Sequence, residues 1–205
     1  MANKRTGWGG VFTIYPLRKL GKGGIFPVIF LTISIAIYSQ GENSEPIVLM
    51  KKVAEIITNG FPSIIGFVLT GYALIIGFSG TELVGKMACV KVDNGHSYFE
   101  VVSSIFAVVL GIVVSTYIVA CIVTFVIDLQ IPWPFSLDSA RCFNTVSLFG
   151  LLFLFYYSIF SLLDIIVNVF NIGQYANAVA QNKQMVENTD RDNLIVKILK
   201  YVFSW

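Results

Sequence analysis

The chain has 205 residues, of which 56% are hydrophobic and 13% are charged, and its mean hydropathy is +0.76. Soluble domains carry about 25% charged residues, so the composition excludes an ordinary soluble protein and predicts one membrane domain with short appendages. The net charge of +2 is too small to suggest that this chain binds nucleic acid.

Residues 1–24 are predicted to form a basic, aromatic cytoplasmic arm. They contain no Asp or Glu, and their cations are Lys4, Arg5, Arg18, Lys19 and Lys22. The glycines of this segment disfavour a continuous helix. Trp8, Phe12 and Tyr15 are suited to the headgroup level of a membrane. The arm is therefore either a flexible segment that only sets topology or an arm anchored on the membrane surface.

Four apolar segments predict an all-α, polytopic membrane domain over residues 25–173. About twenty helical residues span the roughly 30 Å hydrocarbon core of a bilayer. The predicted transmembrane helices lie at about 22–40, 61–80, 101–127 and 143–165. Between the first two, Pro46 is expected to open a short amphipathic helix that breaks at Asn59-Gly60. Pro62 then starts the second span.

Small residues recur every three or four positions along the second and third spans. The second span contributes Ser63, Gly66, Thr70, Ala73, Gly77 and Gly80, and the third contributes Ser104, Ala107, Gly111 and Ser115. Such stripes let helix backbones approach closely in lipid. We expect the two helices to pack as an antiparallel pair, and we interpret the stripes as a seam of the bundle or of an oligomer.

The connections around the third span are predicted to be polar or aromatic loops. Residues 81–100 contain a turn at Asp93-Asn94-Gly95 and the only histidine, His96, which we expect to be solvated. Residues 128–142 contain Pro132 and Pro134, which predict a tight aromatic loop. Cys121 is expected in the core, whereas the topology separates the remaining cysteines, Cys89 and Cys142.

The fourth segment carries a polar stripe on its second half. Its members are Tyr157, Ser161, Asp164, Asn168, Asn171 and Tyr175, at helical spacing. Polar groups in lipid are costly unless they face protein or water, so this stripe faces inward or lies beyond the membrane. A crossing of about twenty residues from Phe143 places Asp164 near the cytoplasmic edge.

Residues 174–205 are predicted to form a cytoplasmic tail with an amphipathic helix at 190–205. The capping-box sequence Thr189-Asp190-Arg191-Asp192 precedes an apolar run. One face of that helix carries Leu194, Ile198, Tyr201 and Trp205. This face is expected to contact the membrane or the bundle, or else a protein partner.

The distribution of cations predicts four crossings with both termini in the cytoplasm. Lys51, Lys52 and Arg141 fall on one side of the predicted topology, and the other eleven of the 14 Lys and Arg residues fall on the opposite side. Cytoplasmic segments of membrane proteins carry the excess of Lys and Arg.

The sequence contains no phosphate-binding loop, nucleophile–base constellation or metal-ligand spacing, so we expect neither an enzyme nor a cofactor or metal site. Three functions remain open. The first is an oligomeric membrane scaffold or sensor that recruits a cytoplasmic partner. The second is a small channel or permeabilising protein lined by the polar stripe. The third is an accessory subunit of a larger membrane complex. Because the stripe covers only the inner half of the bilayer, we favour the scaffold.

In its length, its four spans, its basic Trp8-Gly9-Gly10 arm and its amphipathic tail, the chain resembles the KwaA family, the membrane subunit of the Kiwa anti-phage defence system. The resemblance lies in layout and matches no motif residue by residue. It implies a homo-oligomer, a tetramer, in the bacterial inner (plasma) membrane that senses phage attack at the envelope. It also implies a cytoplasmic DNA-binding partner like KwaB. That partner, and not this chain, would contact nucleic acid.

Overall fold

The regular elements of the computed structural model are helices, as the sequence predicts. The structure describes residues 7–15, 24–40, 45–78, 80–91, 95–129 and 137–185. Within them lie α1 (Gly7–Ile14), α2 (Ile25–Gln40), α3 (Pro46–Phe78), α4 (Gly80–Cys89), α5 (Tyr98–Asp128) and α6 (Leu137–Met185). The predicted tail helix at 190–205 and the proline pair of the predicted aromatic loop lie outside the described residues.

Three of the described helices are long and apolar enough to cross a membrane. Their apolar stretches are Pro46–Gly77, Tyr98–Asp128 and Ser139–Gln174. At 1.5 Å per residue each is about 45 to 55 Å long, which exceeds the hydrocarbon core of roughly 30 Å. Helix α2 is also apolar but has only 16 residues. Large apolar side chains on the outside of the chain, such as Phe67 at 76% exposure, suit a lipid environment.

Helix α3 shows that the predicted break at Asn59-Gly60 is wrong, because the helix continues through it and through Pro62. The reason is a buried face that crosses the break without interruption at helical spacing. Its members are Met50, Ala54, Ile57 and Phe61. Packing along one face offsets the roughly 1 kcal/mol cost of a helical glycine, and proline is tolerated in membrane helices whose neighbours satisfy the freed carbonyl. The prediction that Pro46 opens a helix is confirmed.

Two further helices depart from the sequence prediction. Helix α1 forms across Gly7, Gly9 and Gly10, so a short helix lies within the arm, although the glycines disfavoured a continuous one. Gly10 and Tyr15 are both buried in the first unit, so packing offsets the low helix propensity of the glycines. Helix α4 occupies the first half of the link that the sequence suggested was a polar loop.

Helix α6 is a single element of 49 residues and is longer than the predicted fourth span at both ends. It begins at Leu137, so the last residues of the predicted aromatic loop, 137–142, are helical. It also passes the predicted end of the membrane domain at 173 and ends at Met185. The hydrophobic pattern did not predict these two helix ends. A helix can continue through polar residues, which contribute nothing to that pattern.

Contacts divide the chain into two units, and each long helix contributes to both. The first unit is formed from described residues within 1–15, 70–106 and 163–205, and the second from those within 16–69 and 107–162. The core of the first unit contains Met87, Tyr98, Val102, Ile105, Phe106, Ile165 and Ile172. The core of the second contains Met50, Ala54, Ile57, Phe61, Val109, Val113, Leu148 and Leu151.

Candidate functional site

A hydrogen-bonded hydroxyl pair joins α5 to α6 inside the second unit. Thr116 Oγ1 and Ser158 Oγ are 2.8 Å apart, and both residues are fully buried. Thr116 also donates to the carbonyl of Ile112 at 2.9 Å. Because a hydroxyl has one hydrogen, Ser158 is the donor to Thr116. The pair therefore fixes the position of α5 against α6 in surroundings where few other polar partners are available.

Aromatic side chains hold α2 against α6 in the same unit. The ring centroids of Phe26 and Phe160 are 5.5 Å apart, and those of Tyr38 and Phe149 are 5.6 Å apart. Between these contacts the hydroxyls of Ser34 and Tyr156 are 2.8 Å apart. Positions rise along α2 as they fall along α6, so the two helices are antiparallel. Aromatic pairs at such distances contribute about 0.5–1.5 kcal/mol beyond their burial.

An ion pair links the start of α3 to the end of α5. Lys51 Nζ lies 2.7 Å from Asp128 Oδ1, and the side chains are 43% and 55% exposed. Exposed pairs of this kind contribute about 0–1 kcal/mol. The contact orients these two helix ends more than it stabilises them.

The first unit also contains a contact between α3 and α5. Tyr72 near the end of α3 donates from its hydroxyl to Ser103 Oγ at 3.1 Å, near the start of α5. The Tyr72 ring also packs on Phe106, with centroids 5.2 Å apart. This contact places α3 beside α5 within the first unit.

A reciprocal cap begins α5. The Ser97 N–H donates to Glu100 Oε2 at 2.8 Å, and the Glu100 N–H donates to Ser97 Oγ at 3.2 Å. This is a capping box, which satisfies two amides that the helix cannot bond itself. His96 lies beside it, with Nδ1 3.9 Å from Glu100 Oε2 and with a side chain only 20% exposed. His96 is therefore partly buried beside the cap rather than fully solvated.

The small-residue stripes do not face each other within the chain. In α3 the described members Ser63, Gly66, Thr70, Ala73 and Gly77 are exposed, on the side of the helix opposite its buried face. A Cβ added at Gly66 or Gly77 would meet no atom within 4 Å apart from the nearby backbone of its own helix. In α5, Ser104 is buried, Ala107 and Gly111 are half-buried and Ser115 is exposed. In the first unit α3 contacts α5 through Tyr72, which lies on the side of α3 away from the stripe. Gly80, the last predicted member of this stripe, begins α4 rather than lying in α3, and its burial is outside what the structure describes.

The polar stripe lies along α6 and is half-buried. Ser161 Oγ donates to the carbonyl of Tyr157 at 2.7 Å, and Asn168 Nδ2 donates to the carbonyl of Asp164. Both donors thus satisfy α6 carbonyls one turn earlier. Asn171 is half-buried as well, while the side chain of Tyr175 lies outside the described ones.

Among the described residues, no group of three or more His, Cys, Asp or Glu side chains is placed to hold a metal ion. Cys89, Cys121 and Cys142 are free thiols, and Cys121 is half-buried rather than fully in the core.

The hydroxyl pair, the α2–α6 aromatic contacts and the capping box were not predicted from the sequence. Only the last has a sequence signal, the spacing Ser97-x-x-Glu100 before an apolar run. No family model matches the chain, and no curated protein or solved structure matches it. Function is therefore inferred from the contacts described above.

Proposed function

We propose that the protein is a homo-oligomeric scaffold and sensor of the bacterial inner membrane that recruits a cytoplasmic effector. The observation that carries this proposal is the length of α6, which continues unbroken for 49 residues, about 74 Å. A crossing uses about twenty of these residues. One continuous helix thereby connects the membrane part of the chain to polar residues well beyond a single crossing.

Four crossings with both termini in the cytoplasm are part of the proposal. Helix α2 is short, but its aromatic contacts follow α6 from Phe160 to Phe149. These contacts support α2 as a crossing helix that runs beside the apolar part of α6. The uneven distribution of Lys and Arg supports the orientation.

Self-association is proposed through the outward small-residue side of α3. Because a Cβ at Gly66 meets nothing in the chain, Gly66→Leu should leave the monomer fold intact while obstructing a close helix contact with a second copy. Gly71→Leu is the matched control, since Gly71 also has open space but lies off the stripe. We expect light scattering in detergent to show a smaller assembly for Gly66→Leu only. Equal masses for all three proteins would refute this seam.

Effector recruitment is tested by purification of native complexes. We expect a cytoplasmic protein at fixed stoichiometry with the wild-type chain. Its recovery should fall in a Leu194→Ser/Ile198→Ser variant but not in the matched variant Lys197→Gln/Lys200→Gln. A chain that purifies without any stoichiometric cytoplasmic protein would refute the scaffold.

The layout shared with the KwaA family gives the proposal its biological setting, anti-phage defence with a DNA-binding partner like KwaB. The two alternative functions are a small channel and an accessory subunit of a larger membrane complex. The Asp164→Asn substitution removes a charge from the half-buried stripe. If it changes the conductance measured in planar bilayers, the protein is a channel and the scaffold proposal is refuted.

A further inference from the structure

Helix α1 has two sides of different character. Gly10 and the adjoining Tyr15 are buried in the first unit. Trp8 and Phe12, one turn apart on the other side, are 59% and 50% exposed. Their rings stack with centroids 6.0 Å apart. The packing of the first side thus presents a fixed aromatic pair on the second.

The exposed side offers little besides these rings. Gly9 has no side chain, and Thr13 donates its hydroxyl hydrogen to the Gly9 carbonyl within the helix. Large rings with an apolar body and, in Trp8, one polar N–H are suited to the boundary between lipid and water. The chemistry of this surface therefore fits a lipid headgroup region better than bulk water.

The positive charge of the sequence around α1 favours contact with a negatively charged surface. Residues 1–24 contain five cations and no acid, and they end where the apolar helix α2 begins at Ile25. The ten peptide steps from Tyr15 to Ile25 reach at most about 35 Å. Helix α1 is therefore joined by a short covalent link to the start of an apolar helix, and the sequence on both of its flanks carries uncompensated positive charge.

We propose that α1 is an interfacial anchor that binds anionic phospholipid. Trp8 and Phe12 enter the headgroup level, and the flanking Lys and Arg side chains meet the phosphates. Aromatic insertion and electrostatic attraction are the two contributions that together hold a peripheral segment on a membrane. The anchor is independent of effector recruitment and goes beyond the proposed function.

The test measures where Trp8 lies in the full chain. Trp133→Phe and Trp205→Phe leave Trp8 as the only tryptophan. The protein is placed in nanodiscs of phosphatidylcholine, alone or mixed with phosphatidylglycerol, with a spin label on the headgroup. We expect the label to quench Trp8 emission at least about twofold more strongly in the anionic discs. This difference should disappear at about 1 M salt, where the Debye length is about 3 Å.

A charge variant and its control separate recognition from simple proximity. Lys4→Gln/Arg5→Gln should reduce the effect of phosphatidylglycerol, whereas Lys91→Gln, an exposed cation outside the arm, should not. Quenching that is equal in the two kinds of disc overturns the lipid charge preference. Quenching by aqueous iodide without quenching by the headgroup label overturns the anchor itself, as does a Trp8 that neither quencher reaches.

Discussion

Replacing either member of the buried Thr116–Ser158 pair should weaken the contact between α5 and α6 by a measurable amount. Thr116→Val keeps the shape of the side chain and removes the acceptor for Ser158. Ser158→Ala removes the donor, yet leaves Thr116 bonded to the Ile112 carbonyl. The double variant closes a mutant cycle in which the pairwise interaction is isolated.

The magnitude follows from the surroundings of the pair. Both residues have no exposed surface, so water does not replace the lost partner. In the Thr116→Val variant, however, Ser158 can turn to a carbonyl of its own helix, which limits the penalty. Interhelical hydrogen bonds in membrane proteins average about 0.6 kcal/mol and reach about 1.7 kcal/mol. We expect a coupling energy within this range, towards its upper end because no solvent enters.

Reversible unfolding in mixed detergent micelles measures the free energies of unfolding for the cycle. Thr124→Val is the control partner for Ser158→Ala, because Thr124 donates only to the Ala120 carbonyl of its own helix among the contacts described. The control cycle should give a coupling near zero. A Thr116–Ser158 coupling no larger than that of the control would refute the view that this pair fixes the two helices together.

Three other expectations test local features of the fold. Gly60→Ala should raise the free energy of unfolding by about 0.5–1 kcal/mol, because Gly60 lies within α3 with open space around its Cα, and chemical denaturation measures this. Ser97→Ala should cost about 1 kcal/mol and speed hydrogen exchange of the first amides of α5, since it removes half of the capping box. Lys51→Gln should cost no more than about 1 kcal/mol, and Asp128→Asn about the same, with the double variant less than additive in denaturation.

The sequence predicts the helical class and the long apolar segments because hydrophobic runs and helical spacing are local properties. The amphipathic start of α3 is a clear case, since the amphipathic helix predicted to open at Pro46 forms, and Met50, Ala54 and Ile57 are buried together along one side of it. The predicted break at Asn59-Gly60 is wrong because packing against the rest of the chain is not a local property of the sequence. Local propensity favours a turn there, but the buried face on either side of it favours a continuous helix, and packing outweighs propensity.

The contacts between helices were not predictable from the chain alone. The small residues of α3 signalled a helix interface, yet spacing does not say which neighbour a face meets, and in the chain this face lies outward. Thr116 and Ser158 are single hydroxyls in apolar runs and give no pattern before their partners are known. The α2–α6 aromatic contacts likewise depend on the register of the two helices. The positions of Phe and Tyr within each segment do not specify that register.

The way the polar groups of α6 are used favours a scaffold over a pore. A pore lining must present hydrogen-bonding groups to water along the bilayer depth. On α6 the buried Ser158 bonds to α5, and Tyr156 bonds to α2. Ser161 and Asn168 donate to carbonyls of α6 itself. These groups join helices or satisfy their own backbone, which is the arrangement expected where helices must hold a fixed relation to one another.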